Sequence, residues 1–308
     1  MLAGLDGDII LYQAGFAAEY LKVTVTFPDG TEESYKGKRN AKNAMIDWLE
    51  NNSTDDSSNE LSLDSFITTE ERIYNDERSA HIIAGTIVNR IVDELAYIFN
   101  EKVNLKIYFT DGRSFREKRA TMLPYKGNRD GMIKPYWKDS IRKYLENTYW
   151  TQSSSVWEAD DLLAMACTQQ GACIVSIDKD LLQVPGKHYN INTKEYKVVD
   201  QFQGDLSLCR QLLVGDSTDN IPGLPGVGNK TADKMLAGCA EFSDMWDVVC
   251  SAYKERWDEG LHGLTPRKAL KEVGDLVYIC RSPEDSFSRY VKERLEQRLR
   301  NYVKASGL

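Results

Sequence analysis

Carboxylates at short, repeated spacings are the residues of this sequence best placed to do chemistry. Gly215-Asp216-Ser217-Thr218-Asp219-Asn220 sets two acids three positions apart, the spacing that brings side chains to one face of a helical turn. A glycine- and proline-rich turn, Gly223-Leu224-Pro225-Gly226-Val227-Gly228, follows, and Asn229-Lys230-Thr231-Ala232 then opens a helix. Backbone N–H groups presented by such a turn and helix start favour phosphate. A metal at one end of the stretch and a phosphate at the other would meet both needs of a polynucleotide phosphodiester.

Further acids recur at the ends of apolar runs. Asp6 closes Leu2-Ala3-Gly4-Leu5, Asp111 follows Leu105-Lys106-Ile107-Tyr108-Phe109-Thr110, and Asp178 follows Ala172-Cys173-Ile174-Val175-Ser176-Ile177, with Asp180 two residues on. Glu158-Ala159-Asp160-Asp161 stands at the mouth of an apolar-periodic helix. A parallel α/β sheet presents its ligands outside the carboxyl ends of its strands. The pattern therefore predicts that Asp6, Asp111 and Asp178 converge on one sheet edge, joined by Glu158, Asp160, Asp161, Asp180, Asp216 and Asp219. Each acid alone reads as a cap or turn residue. Nine together need positive charge between them, and Mg2+ or Mn2+ prefers oxygen ligands. Two such ions ~4 Å apart suit in-line displacement at a phosphodiester. Asp8 reads as a cap or an outer acid beside this set.

Residues 113–143 have another character. Arg113, Arg116, Lys118, Arg119, Lys126, Arg129, Lys134, Lys138, Arg142 and Lys143 are interleaved with Phe115, Tyr125, Tyr136 and Trp137. Bases with aromatics suit a nucleic-acid strand, through phosphate contacts and base stacking. A solvated, salt-bridged helical face accounts for them equally well.

The elements that must position these residues are legible from periodicity. A buried strand and a helix open the chain. Lys22-Val23-Thr24-Val25-Thr26-Phe27 alternates, and with Pro28-Asp29-Gly30 and residues 32–35 it predicts a β-hairpin. Residues 51–65 read as an exposed loop, and about 20–78 as an insertion without assigned chemistry. Ile82, Ile83, Ile87, Ile91, Leu95, Ile98 and Phe99 predict a core-facing helix over 79–102. Beyond residue 236, helices are predicted over 240–257, 266–281 and 287–304. Cys167, Cys173, Cys209, Cys239, Cys250 and Cys280 form no CxxC pair, so they read as reduced, buried thiols. No apolar run is long enough for a membrane span, and the opening residues make no signal peptide, so a soluble, cytoplasmic protein is expected. A net charge of −8 runs against nucleic-acid binding, but setting nine clustered carboxylates aside turns it into +1.

On Leu5-Asp6-Gly7, Thr110-Asp111-Gly112, Leu123-Pro124-Tyr125-Lys126-Gly127-Asn128-Arg129, Glu158-Ala159-Asp160-Asp161, Ser176-Ile177-Asp178-Lys179-Asp180 and Gly215-Asp216-Ser217-Thr218-Asp219-Asn220-Ile221-Pro222-Gly223, the chain resembles the 5′-3′ exonuclease and flap endonuclease family. The likeness is strongest to bacteriophage members and to the 5′-nuclease domains of bacterial DNA polymerases. It implies an α/β, PIN-like fold: a central, mainly parallel sheet flanked by helices, a helical arch, and a helix–three-turn–helix DNA-binding element at about 215–240. Residues 1–205 would form the nuclease domain, with the arch at about 113–143, and 206–308 a helical region.

The resemblance further implies two Mg2+ ions, with Mn2+ as a substitute. One would be held by Asp6, Asp111, Glu158, Asp160 and Asp161, the other by Asp178, Asp180, Asp216 and Asp219. Lys126 and Arg129 would stabilise charge at the scissile phosphate. Arg116, Arg119, Tyr125, Lys126, Arg129, Gly223, Gly226, Gly228, Lys230, Thr231 and Lys234 would contact DNA, and K+ would sit at the hairpin carbonyls. The implied activity is metal-dependent cleavage of DNA at 5′ ends, flaps and nicked or gapped duplexes by a monomer, in replication or recombination, with RNA–DNA hybrid as a further substrate. For a phage enzyme the setting is the host cytoplasm. The competing readings are a PIN-type ribonuclease, which lacks the helix–three-turn–helix element, and a non-catalytic binder of branched DNA.

Overall fold

The computed structural model describes residues 1–52, 61–112 and 114–306. Arg113 and the centre of the expected 51–65 loop lie outside the described residues. The chain divides into two compact units, one of residues 1–9, 91–133 and 148–308, the other of 10–90 and 134–147.

In chain order the elements are β1 (Leu2–Asp6), α1 (Gly7–Ala17), β2 (Glu19–Thr26), β3 (Glu32–Lys36), α2 (Lys38–Asn52), β4 (Ile67–Tyr74), α3 (Glu77–Phe99) and β5 (Asn104–Thr110). Next come α4 (Phe115–Arg119), α5 (Lys138–Thr148), β6 (Thr151–Ser154), α6 (Ala159–Gln170), β7 (Cys173–Val175), β8 (Gly186–Asn190) and β9 (Glu195–Val199). The helices α7 (Gln201–Val214), α8 (Asn229–Leu236), α9 (Phe242–Arg256), α10 (Glu259–His262), α11 (Pro266–Val277) and α12 (Phe287–Ser306) complete the chain.

The first unit is built on a six-stranded sheet in the order β6-β5-β1-β7-β8-β9. Every neighbouring pair is parallel except β8 with β9. β1 is buried along almost its whole length, as an unbroken apolar run in a parallel sheet should be. The chain leaves β1 toward β5 on one side and returns to β7 on the other, so a crevice at the carboxyl end of β1 is the topological switch point where such sheets place ligands. Helix α6 packs on β1, β5 and β7, and its apolar residues share one core with α7, α8, α9, α11 and α12.

The expected division at residue 205 falls within a helix. Position 205 falls inside α7, and the Asp205 side chain is completely buried. The C-terminal helices share one apolar core with α6 and the sheet residues Tyr108 and Ile174.

The second unit contains the predicted hairpin, extended to three antiparallel strands in the order β3-β2-β4. Val23, Val25, Phe27, Ala41 and Phe66 make its small core. The described residues between 20 and 78 thus include a three-stranded sheet with α2 packed on it, of which the sequence pattern predicts only the hairpin.

The basic segment forms no continuous helical arch among its described residues. It holds the five-residue α4, a single 3₁₀ turn at Gly127–Arg129, and α5. Pro124, Gly127, Gly131 and Pro135 interrupt any longer helix, because proline removes a helix donor and glycine costs backbone entropy.

Candidate active site

The strand ends place the acids, and strand register decides which of them meet. Asp6, the last residue of β1, pairs with Tyr108, while Leu5 pairs with Val175. Ser176 is therefore level with Asp6, and its hydroxyl donates to Asp6 Oδ2 at 3.1 Å. Gly7 continues the chain where a side chain could not fit, since a Cβ there would stand 2.3 Å from the Phe109 ring. The Asp8 N–H then donates back to Asp6 Oδ1 at 3.1 Å, and the Asp180 N–H donates to Asp178 Oδ1 at 2.8 Å in the same manner. The two Asp-x-Asp turns are neighbours at the end of adjacent parallel strands.

A third such turn comes from the loop between α7 and α8. The Asp216 backbone pairs with Ile221, and its Oδ1 accepts from the Thr218 N–H at 2.8 Å. Gly215 and Gly223 let the two arms of this loop touch: a Cβ on Gly223 would lie 1.9 Å from the Val214 carbonyl oxygen.

These turns and the start of α6 line one cavity of about 450 Å³, with Asp6, Asp8, Glu158, Asp160, Asp178, Asp180, Asp216, Asp219, Lys126 and Arg129 in its wall. Burial and the neighbouring Asp8 and Asp178 charges push the Asp6 carboxyl up to about 7. Burial, Asp178 and Asp216 do the same to Asp180, also to about 7. Asp160 is raised too, by burial and then by Asp178 and Asp6. The shared cause is unneutralised negative charge in a recess.

The basic segment reaches this wall. Lys126 adopts a left-handed backbone conformation, its N–H donating to the Asp219 carbonyl at 2.9 Å. Its ammonium lies 2.9 Å from Glu158 Oε1 and 3.6 Å from Asp219 Oδ2, and Arg129 pairs with Asp219 Oδ1. The Tyr125 hydroxyl stands 3.0 Å from Glu158 and 2.9 Å from Asp219. Burial alone would raise Glu158, yet Arg116 and Lys126 together hold it below its usual value. Asp6, Asp160, Asp178, Asp180 and Asp216, by contrast, form no ion pair with a described cation.

Three expected site residues are placed differently. Asp161 is 0% exposed, and both oxygens are engaged: Oδ2 accepts from Arg116 Nη1 at 2.7 Å and the Glu158 N–H at 3.1 Å, Oδ1 from Arg116 Nη2 at 2.9 Å and the Cys280 N–H at 2.9 Å. No lone pair remains directed at an ion. Arg116 is 2% exposed and also donates to the Leu276 and Tyr278 carbonyls, so it is closed to a DNA backbone. Asp111 is exposed and does not line the cavity. It follows Thr110, the last residue of β5, which does line the cavity.

Of the remaining DNA-contact candidates, Arg119 pairs with Asp275 at 2.9 Å while Lys230 and Lys234 are exposed on α8. Gly223 is half-buried, Gly226 and Gly228 are exposed, and Thr231 is half-buried beside them. Asp8, by contrast, belongs to the cavity, where its Oδ2 accepts from the Thr110 N–H at 3.2 Å. The signal that could have found it is the repetition of Asp-x-Asp at 6–8 and 178–180.

The donor set tests directly whether divalent cations fit. The cavity wall offers carboxylate oxygen and no histidine or cysteine, which suits a hard cation. No three His, Cys, Asp or Glu among the described residues are disposed to clasp an ion by themselves. Mg2+ takes one or two carboxylates and keeps several waters, and a cavity of this size has room for them.

The fold and site thus define an α/β protein with an acidic, cation-seeking pocket at its sheet switch point. No family model matches the chain. A 5′-3′ exonuclease of Buchnera aphidicola is 30% identical over 202 residues, 60% of this chain and 69% of that protein. A flap endonuclease Xni of Shewanella piezotolerans is 30% identical over 173 residues, 49% of this chain and 67% of that one. The chain belongs to the 5′-3′ exonuclease and flap endonuclease family. It spans only 10% and 20% of the DNA polymerase I relatives from Rhizobium leguminosarum and Bacillus caldotenax. The T5 5′-exonuclease structure with bound zinc superposes with a TM-score of 0.46 at 18% identity, covering 69% of this chain and 90% of that one. Among the described residues no helix is long and apolar enough to cross a membrane.

Proposed function

We propose that this chain is a metal-dependent, structure-specific 5′ nuclease that hydrolyses DNA phosphodiesters at or near 5′ ends, flaps and nicks. The observation that carries the reading is a single cavity in which five aspartates form no ion pair with a described cation while Lys126 and Arg129 stand in the same wall. The carboxylates proposed to hold two Mg2+ ions, replaceable by Mn2+, some directly and the rest through bound water, are Asp6, Glu158, Asp160, Asp178, Asp180, Asp216 and Asp219, with Asp8 beside them. When bound, such ions would supply activation of water and stabilisation of the leaving oxygen.

The chain's own groups do the rest. Lys126 and Arg129 exchange their carboxylate partners for the scissile phosphate, placing positive charge where it develops. Tyr125 holds Glu158 and Asp219 in line with that movement. The turn at 223–228 and the start of α8, with Lys230, Thr231 and Lys234, grip the duplex backbone as a helix–three-turn–helix element. K+ at the turn carbonyls, removal of RNA primers, and a place in replication or recombination are proposed on the family resemblance alone.

The full chain incubated with Mg2+ and a 5′-labelled flap duplex should release short products, and EDTA should abolish release. Asp178→Asn should bind the flap while losing cleavage. Persistent flap binding by the unaltered chain, with no product in Mg2+ or Mn2+, would sink the nuclease reading in favour of a non-catalytic binder.

A further inference from the structure

A second cavity lies away from the carboxylates. It measures about 770 Å³ and is walled by α9, α11 and α12, with Trp246, Tyr253, Leu270, Phe287 and Val291 as its apolar lining. It shares no residue with the acidic cavity. We propose that this pocket docks a short acidic peptide segment of a partner protein, anchored by a bulky apolar side chain.

Charge complementarity identifies the occupant. Lys254, Arg267, Lys268 and Lys271 line the pocket, and no aspartate or glutamate does. Lys271 is matched by Asp275 at 2.5 Å. Lys254, Arg267 and Lys268 have no ion-pair partner among the described residues. This concentration of unmatched cations stands on a chain of net charge −8. Arg267 and Lys268 moreover occupy the first turn of α11, which contains no acid, where the helix dipole already disfavours positive charge. Carboxylates laid across that rim would relieve the repulsion.

The lining decides what else the occupant carries. Pockets of this size, mostly apolar with a few polar groups at the edge, bind ligands that bury an apolar body. A peptide with an aromatic or branched side chain between acids supplies both parts. A polynucleotide supplies the charge but needs open ring faces to stack on; of the aromatic lining, Tyr253 and Phe287 are 1% and 4% exposed and Trp246 is half-buried.

Fluorescence anisotropy with the full chain and a labelled peptide of glutamates around one phenylalanine and one leucine tests the proposal. Binding should weaken by about tenfold or more when lysines replace the glutamates, when alanines replace the two apolar residues, and in the chain variant Arg267→Glu/Lys268→Glu. Both substituted residues are exposed, and an unchanged melting temperature confirms folding. Absence of binding overturns the proposal, as does binding that ignores charge or anchor. Displacement of the peptide by oligothymidine also overturns it and reassigns the rim to nucleic acid. Flap cleavage is read separately, so failure here leaves the nuclease reading standing, and the reverse.

Discussion

Two cation–carboxylate pairings flank the first turn of α6, and they differ in what they can release. Arg116 and Asp161 are sealed, at 2% and 0% exposure, and every partner of both is protein. Lys126 and Arg129, paired with Glu158 and Asp219, open onto the acidic cavity. Two acids of one motif, Glu158 and Asp161, thus serve opposite ends. A buried pair is fixed by the cost of breaking it, whereas a partly exposed pair is held weakly enough to be exchanged. The difference teaches that charge type and spacing mark a site, while solvent access decides which members work in it.

The largest effect expected from this contrast is on stability. Asp161→Ala leaves the Arg116 guanidinium buried without its bidentate partner, which should cost about 3–5 kcal/mol. Urea denaturation should show the loss with metal present or absent. A cost below about 1 kcal/mol would mean that Asp161 is not the structural anchor argued here.

Lys126→Ala should act the other way round. Its side chain is 29% exposed, and Arg116 and Tyr125 remain beside the buried Glu158, so unfolding should change by about 1–2 kcal/mol. Cleavage of a flap should slow by about 10²-fold or more, as for loss of one group that stabilises transition-state charge. Duplex affinity should change much less than rate. Parallel losses in rate and affinity would reduce Lys126 to a binding residue.

How much of this was legible beforehand follows the same line. The strand-end acids, the α6 motif and the 215–223 loop could be read as a cluster, because apolar runs ending in aspartate fix chain direction and sheet edge together. The burial of Arg116 is not legible, because a basic run looks alike whether its side chains reach water or a buried aspartate 45 residues away. Asp111 was grouped with Asp6 because spacing shows that both end strands, not that β5 runs past Asp6. The three-stranded sheet of residues 19–74 could be read only as far as the hairpin, since β4 pairs with β2 across more than forty residues with no local signal of partnership. The apolar pocket under α9, α11 and α12 left no trace, because its lining comes from three helices whose approach no spacing records.

The smallest effect concerns the aspartates that form no ion pair with a described cation. Asp160 lies among Asp6, Asp178 and Glu158, and burial with these charges raises its carboxyl well above the usual range. Keeping it there without a cation costs folding free energy, the compromise a functional pocket accepts. Asp160→Asn keeps the shape and removes the charge, so in EDTA it should raise stability by about 1 kcal/mol. In Mg2+ the advantage should shrink or reverse, because the unaltered chain gains from an ion that binds only the folded state, whereas the variant has lost a ligand. The comparison needs only two urea midpoints for each chain, with and without Mg2+. A variant less stable than the parent in EDTA would show that the acidic wall is held together by its hydrogen bonds rather than strained by its charge.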